Sequence, residues 1–149
     1  MGKYLRVTSL LAAIILLFAT YSFAASSVAQ TVYQIAEGQY MLEMDVTAHT
    51  DGVVSNTATA IAIDGLVYLV ETVPSSGATA PTNLYDLTLL NADGLDIMGG
   101  NLANRSSTLV QRASPLNYQA QSVMGKLTLT TSGDSVDGAK FKVRIFYFR

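Results

Sequence analysis

The sequence predicts an all-β fold, a single antiparallel β-sandwich of about eight short strands that follows an N-terminal signal or anchor helix. Hydrophobic residues alternate with a period of two along most of the chain, with almost no stripe of helical period. Short predicted strands recur at intervals of roughly 8–12 residues with turn signals between them, which is typical of sandwiches. The length of 149 residues fits one domain, which we assign to residues 25–149.

The first 24 residues predict an export segment. Lys3 and Arg6 supply a positive start, residues 10–19 form an uncharged apolar core, and small residues follow. We expect a signal peptide that is cleaved after Ala24. The alternative is an uncleaved anchor over residues 7–25, which carries no charge and has about the 18 residues that a membrane span requires. The predicted location is therefore exported (periplasmic, cell-surface or extracellular) or membrane-anchored, with membrane contact only through this segment.

Composition excludes several classes of function. The chain contains no cysteine, so it has no disulfide, no thiolate nucleophile and no Cys-ligated metal, and its single histidine excludes a two-His metal site within one chain. A net charge of -2 provides no basic field for phosphate backbones. We therefore expect no nucleic-acid partner.

The first half of the domain predicts four strands. Residues 31–35 form a short run, and residues 39–48 alternate cleanly between apolar and polar positions. Asp-Gly turns then bound a strand rich in Thr, Ala and Ile over residues 53–63. The nearly continuous apolar run at residues 66–72 predicts a central strand.

The second half begins with a surface crossover and ends with a clear strand. Residues 73–82 contain two prolines and small polar residues, which favours a connection between sheets or hairpins. Alternation is weakest over residues 101–120. The strands predicted in this half are residues 84–90, 95–98, 108–111, 123–131 and 139–148.

Residues that could perform catalysis are few. His49 could pair with Asp51 as an acid/base unit, but a lone histidine in a turn is the simpler interpretation, and the chain contains no G-x-S-x-G nucleophile motif. A glycosidase needs two facing carboxylates. Acidic residues that alternate with apolar ones usually form a solvated sheet face instead, and we predict no enzyme and no cofactor. The acidic candidates are Glu37, Glu43, Asp45, Glu71 and Asp86.

Three oxygen-bearing side chains give a partial match to a calcium loop. Asn91, Asp93 and Asp96 surround Gly94, but the glycine and bidentate-acid positions of an EF-hand fall on other residue types. A β-turn explains Asn-Ala-Asp-Gly without a metal. We therefore predict no metal site and keep these three as partial candidates.

The last strand carries the interaction residues that we predict. Lys140, Lys142 and Arg144 share one face, and Phe141 and its neighbours of the same parity share the other. A basic stripe protects an exposed sheet edge from aggregation or meets an acidic partner. Alternatively, an edge strand pairs with a neighbouring subunit by strand addition.

Six short motifs follow one another from residue 63 to the end of the chain: VETVP (70–74), APTNLYDLTL (80–89), NADGLDIM (91–98), GGNLANR (99–105), GKLTLT (125–130) and VRIFYFR (143–149). In these motifs and their order, this part of the chain resembles a group of β-sandwich proteins of tailed bacteriophages and prophages. None of the motifs is catalytic, and the resemblance implies a virion-associated structural domain. The export segment departs from that pattern, because virion proteins assemble in the cytoplasm.

These observations predict a non-catalytic structural or interaction module whose partner is a protein, either another copy of itself or a larger particle. The alternative is a secreted domain that binds a ligand such as a glycan. That alternative predicts a monomer with exposed aromatic residues in a groove, for which the candidates are Tyr85, Tyr118 and Tyr147.

Overall fold

The computed structural model describes residues 25–149, which form two antiparallel β-sheets. The predicted signal or anchor helix therefore lies outside the described residues. Within residues 25–149, no helix has the length and apolar character needed to cross a membrane. The nine strands of this part are β1 (Ser27–Ala36), β2 (Gln39–Thr47), β3 (Thr57–Ala58), β4 (Gly65–Pro74), β5 (Asp86–Leu90), β6 (Gln111–Ala113), β7 (Gln121–Val123), β8 (Thr128–Ser132) and β9 (Lys140–Phe148).

The larger sheet has the order β1-β2-β9-β4, and two short strands, β6 and β7, pair with separate parts of the far side of β4. The C-terminal strand β9 lies inside the sheet, between β2 and β4, and pairs with β2 over its full length. A register shift between Val67 and Leu69 marks an irregularity in β4 where it pairs with β9.

The smaller sheet has the order β3-β8-β5 and lies against the inner face of the larger one. The two inner faces and the connecting loops contribute to one hydrophobic cluster, so the fold is β-sandwich-like. The fully buried side chains of this cluster include Leu42, Met44 and Val46 from β2, Val143 and Ile145 from β9, and Leu87, Leu89 and Leu129 from the smaller sheet.

Most of the predicted strands are confirmed, with shifted ends. The run at residues 66–72 is interior as predicted, because β4 is paired on both sides. The stretch at 73–82 connects the larger sheet to the smaller one, as expected for a crossover. The first strand is longer than predicted, because β1 extends from Ser27 to Ala36.

The strand predicted at residues 53–63 is wrong, because only Thr57 and Ala58 are paired in a sheet. Elsewhere in the segment, single backbone bonds such as Thr59 N to Leu127 O and Ile63 N to Gly125 O combine with hydroxyl bonds. The Thr131 hydroxyl accepts from the amide of Val54, and the Thr59 hydroxyl donates to the carbonyl of Ile61. Ser and Thr side chains compete with sheet bonding in this way, so a composition rich in β-formers produced an irregular segment.

Two further strand predictions need correction. Residues 95–98 form only an isolated antiparallel bridge, between Asp96 and Leu90. The backbone then turns, because the Asp96 carboxylate accepts the amides of Met98 and Gly100. The single strand predicted at 123–131 is divided between β7 in one sheet and β8 in the other, with Gly125 at φ +86° between them. A positive φ is readily adopted by glycine, and here it allows the chain to change sheets.

We predict that the smaller sheet is essential for closing the core. Leu129→Ala should lower the free energy of unfolding by about 2–5 kcal/mol, because it leaves a cavity at a fully buried position. Leu109→Ala is the matched control, at a position that is 65% exposed, and should change stability by less than about 0.5 kcal/mol. Urea unfolding of both variants checks this. Equal losses would contradict the assignment of Leu129 to the core.

Candidate interaction surface

A row of alternating charges crosses the outer face of the larger sheet. Glu43 on β2, Arg144 on β9, Glu71 on β4 and Arg112 on β6 are direct cross-strand neighbours. The Arg144 guanidinium donates to both glutamates, from Nε to Glu43 Oε2 and from Nη1 to Glu71 Oε1, each at 2.8 Å. Arg112 Nε donates to Glu71 Oε2 at 2.8 Å. Each inner member of this charge row therefore has an opposite charge on both sides.

The two carboxylates of the charge row are mostly buried, with side chains only 13% exposed for Glu43 and 6% for Glu71. Hydrogen bonds from Lys142 and Arg144 lower the pKa of Glu43. For Glu71, burial is the largest influence and opposes ionisation, but the bonds from Arg144 and Arg112 outweigh it and lower the pKa. Both groups are thus held ionised, whereas a general acid that works near neutral pH needs a raised pKa.

The predicted edge role of Lys140, Lys142 and Arg144 is wrong, because β9 is an interior strand. Arg144 is the centre of the charge row, and Lys142 Nζ donates to Glu43 Oε1 at 2.8 Å and lies 3.6 Å from Asp45 Oδ2. Two of the three predicted interaction residues are therefore bound to carboxylates of their own sheet. Lys142 and Arg144 therefore contribute to the architecture of the sheet, and contact of the three residues with a partner stays a prediction.

Lys140 and Lys142 also line an open groove of about 200 Å³ at the end of the sheet, together with Asp45 and Pro74. The carboxylate of Asp45 lies beside the lysines, so the groove combines both signs of charge. This arrangement does not select an anionic or a cationic ligand.

The exposed edge of the larger sheet is β1. It pairs with β2 on one side, and no strand among residues 25–149 pairs with its other side. Its sequence, SVAQTVYQIA, contains neither a charge nor a proline, and a register shift occurs only between Gln34 and Ala36. Natural edge strands are usually protected by charges, prolines, bulges or a covering loop. We did not predict this edge from the sequence, although the absence of charge in the strand was a sequence feature that could have indicated a contact edge.

The two halves of β1 differ in how they are covered. Near its start, Gln30 is held by the segment before β4, because its Nε2 donates to Ala58 O at 2.9 Å and its Oε1 accepts from Ala60 N at 2.6 Å. Beyond Gln30 the strand is uncovered. Val32 is 39% exposed and Tyr33 is 45% exposed, and neighbouring strand residues point to opposite faces. Apolar surface is therefore exposed on both faces of this half.

The β5 edge of the smaller sheet is covered, in contrast to β1. The loop over residues 91–105 follows the outer side of β5, where Leu102 O accepts from Leu87 N at 3.1 Å and Ile97 N donates to Leu89 O at 2.9 Å. Arg105 N donates to Tyr85 O at 2.7 Å just before the strand. The NADGLDIM and GGNLANR motifs thus form a backbone cover for β5.

The three calcium candidates belong to this covering loop. The Asn91 side-chain oxygen accepts the amides of Asp93 and Leu95, and Asp96 accepts three amides, including that of Leu89. Asp93 is exposed. Among residues 25–149, no cluster of three or more His, Cys, Asp or Glu side chains has a metal-binding arrangement. The oxygens of Asn91 and Asp96 hold the loop in shape.

Arg105 is buried and donates to the carbonyl of Asn101 at 3.0 Å and to Gln111 Oε1 at 3.2 Å. The Arg105 side chain therefore links the covering loop to β6. Burial raises the pKa of the neighbouring Tyr85 to about 12.

The aromatic candidates for a ligand groove do not form one. Tyr85 and Tyr147 are buried in the core, and only Tyr118 is exposed. A different aromatic cluster lies on the outer face of the larger sheet, where Tyr68 contacts Phe148 with ring centroids 4.7 Å apart and Phe146 at 6.3 Å.

The remaining catalytic candidates are His49 with Asp51, and Asp86. His49 Nδ1 lies 3.1 Å from Asp51 Oδ1, as the sequence suggested, in the turn that follows β2. The same Asp51 oxygen accepts from Val53 N, so the carboxylate closes the turn. Asp86 accepts from the amide of Asn104. Each of these polar contacts has a local structural role.

Comparison with known proteins gives no relative. No family model matches the chain, and no curated protein or solved structure matches it significantly.

We predict that, because of the charge row, the free energy of unfolding decreases as the pH becomes acidic. Because the folded-state pKa of Glu71 lies below the ordinary value of a glutamate, 4.5, the stability that it contributes is present above about pH 4.5 and is lost as the pH falls through the lowered pKa. Glu71→Gln should weaken this dependence and cost about 1–3 kcal/mol at neutral pH, since two guanidiniums lose a carboxylate. Urea unfolding between pH 3 and 7 provides the measurement.

The control for this prediction is Glu37→Gln, an exposed residue in the turn between β1 and β2, outside the charge row. It should leave both the stability and its pH dependence close to those of the parent. If Glu71→Gln has the same pH slope as the parent, the charge row does not contribute in the way described.

Proposed function

We propose that this chain is an exported, non-catalytic structural module that acts by assembly or by attachment to a larger particle through the free edge of β1. The single observation that carries the proposal is the contrast between the two sheets. The covering loop satisfies the outer edge of β5, whereas β1 presents an uncharged edge ten residues long. An uncovered edge of this kind readily pairs with another strand.

The organisation of the ionisable groups supports a non-catalytic role. The acidic residues considered for catalysis that lie on strands hold guanidinium, ammonium or backbone amide groups. Lowered pKa values for Glu43 and Glu71 keep both ionised. The chemistry on this face is therefore suited to fixing the register of the sheet.

The resemblance of residues 63–149 to phage β-sandwich proteins supports assembly as a virion-like domain, and the export segment at residues 1–24 supports action outside the cytoplasm. The resemblance includes the motifs that cover β5, and it does not extend to β1. We infer that the shared part supplies the scaffold and that β1 supplies the contact.

A secreted ligand- or glycan-binding domain is the second candidate, and the aromatic cluster of Tyr68, Phe146 and Phe148 favours it. Tyr68 and Phe146 are half-buried, Phe148 is 41% exposed, and all three lie on the outer face of the larger sheet. Aromatic rings at a surface provide stacking area for sugar rings and other apolar faces. This candidate predicts a monomer at all concentrations.

We predict that a chain of residues 25–149, which contains the whole described fold, associates as its concentration rises. Size-exclusion chromatography with light scattering should show a mass that increases from the monomer toward a discrete multiple. The double variant Val32→Lys/Tyr33→Lys should remain a monomer, because it places charge on both faces of the β1 edge. The matched control Tyr118→Lys changes an exposed residue elsewhere and should associate like the parent.

We expect the β1 variant to fold, because both replaced side chains are exposed. Urea unfolding curves check this. A strict monomer at every concentration would contradict self-assembly. Association of the double lysine variant at parental strength would place the contact away from β1.

A further inference from the structure

We infer that β1 of one copy pairs antiparallel with β1 of a second copy across a two-fold axis, which closes a dimer with one continuous sheet. This inference rests on the proposed function and specifies its partner. It follows from three properties of the described residues: the state of the other sheet edges, the neutrality of β1, and the position of the uncovered apolar side chains.

The other sheet edges offer no matching partner for β1. The far side of β4 is occupied by β6 and β7, two strands of three residues each, and residues 114–120, which include Pro115, lie between them. In the smaller sheet, β3 has two residues, and β5 is covered by the loop over residues 91–105. A head-to-tail filament would have to pair a ten-residue strand with one of these short or covered edges. Pairing β1 with itself joins the two long free edges, and among the described strands only short edges then remain unpaired.

The sequence of β1 tolerates self-pairing in any register. Because the strand carries no charge, no antiparallel alignment places like charges opposite one another. The side chains are mostly β-branched, amide or small, and they suit a pleated surface. Eight residues, from Ser27 to Gln34, keep a regular register with β2, so the free side of β1 is extended over the same length.

The uncovered apolar side chains place the axis near the middle of β1. Val32 and Tyr33 lie just beyond Gln30, where the covering segment ends. An antiparallel pair centred at residues 31–33 brings this half of each strand beside the partner strand and reduces the exposure of Val32 on one face and Tyr33 on the other. Pairing at the ends would leave them in water.

The absence of cysteine in the chain makes cross-linking a direct test. Single-cysteine variants Thr31→Cys, Val32→Cys, Tyr33→Cys and Ser27→Cys of residues 25–149 are oxidised under identical conditions, and the disulfide dimer is measured on non-reducing gels. In an antiparallel pair, only a residue at the axis faces its own copy, and a disulfide needs Cα atoms within about 7 Å. We expect rapid cross-linking at one of positions 31–33 and none at Ser27.

The outcomes separate the two proposals. Cross-linking at Ser27 as fast as at the centre would indicate parallel, in-register stacking and overturn the two-fold pairing. A dimer in light scattering without cross-links at positions 31–33 would also overturn it, and assembly through another surface would stand. A strict monomer would overturn both the pairing and the self-assembly on which it rests.

Discussion

The charge row on the larger sheet is the interaction on which the rest of the structure depends. Arg144 bonds both Glu43 and Glu71, so it links β9 to β2 on one side and to β4 on the other. A shift of one residue in either pairing would break these bonds and turn the apolar face of β9 outward. The row therefore fixes β9 inside the sheet, and with β9 inside, the exposed edge falls on β1.

The β5 edge and the β1 edge differ in how much of their backbone is covered by other segments. The loop that contains Asn91, Asp96 and Arg105 uses its polar side chains to bond backbone groups, and its backbone then covers β5. The segment before β4 covers only the first half of β1, through Gln30. The residues that gave a partial match to a calcium loop thus help to cover β5, whereas the second half of β1 remains available for contact. We propose that the function depends on the free edge of β1, in a fold whose β5 edge is covered by a loop.

The sequence allowed the all-β class and most strands to be predicted, because period-two alternation records directly which face is buried. It could not show which strand lies at an edge, since that depends on long-range pairing: Lys140, Lys142 and Arg144 look like an edge stripe until Glu43 and Glu71 are placed beside them. The irregular segment at 53–63 was also hidden, because hydroxyl bonds compete with the ladder at Thr59 and Thr131. The only feature of the proposed β1 contact edge that the sequence shows directly is the absence of charged residues in the strand.

Amide hydrogen exchange measured as a function of protein concentration tests the central claim most directly. We expect slow, concentration-independent exchange in β9, because the charge row holds this strand inside the sheet. In β1, we expect exchange that slows as the protein concentration rises. Exchange in β6 and β7 should not respond to concentration. If β1 exchanges equally fast at all concentrations, or β9 exchanges as fast as β1, the claim that a fixed interior strand leaves β1 as the contact edge is contradicted.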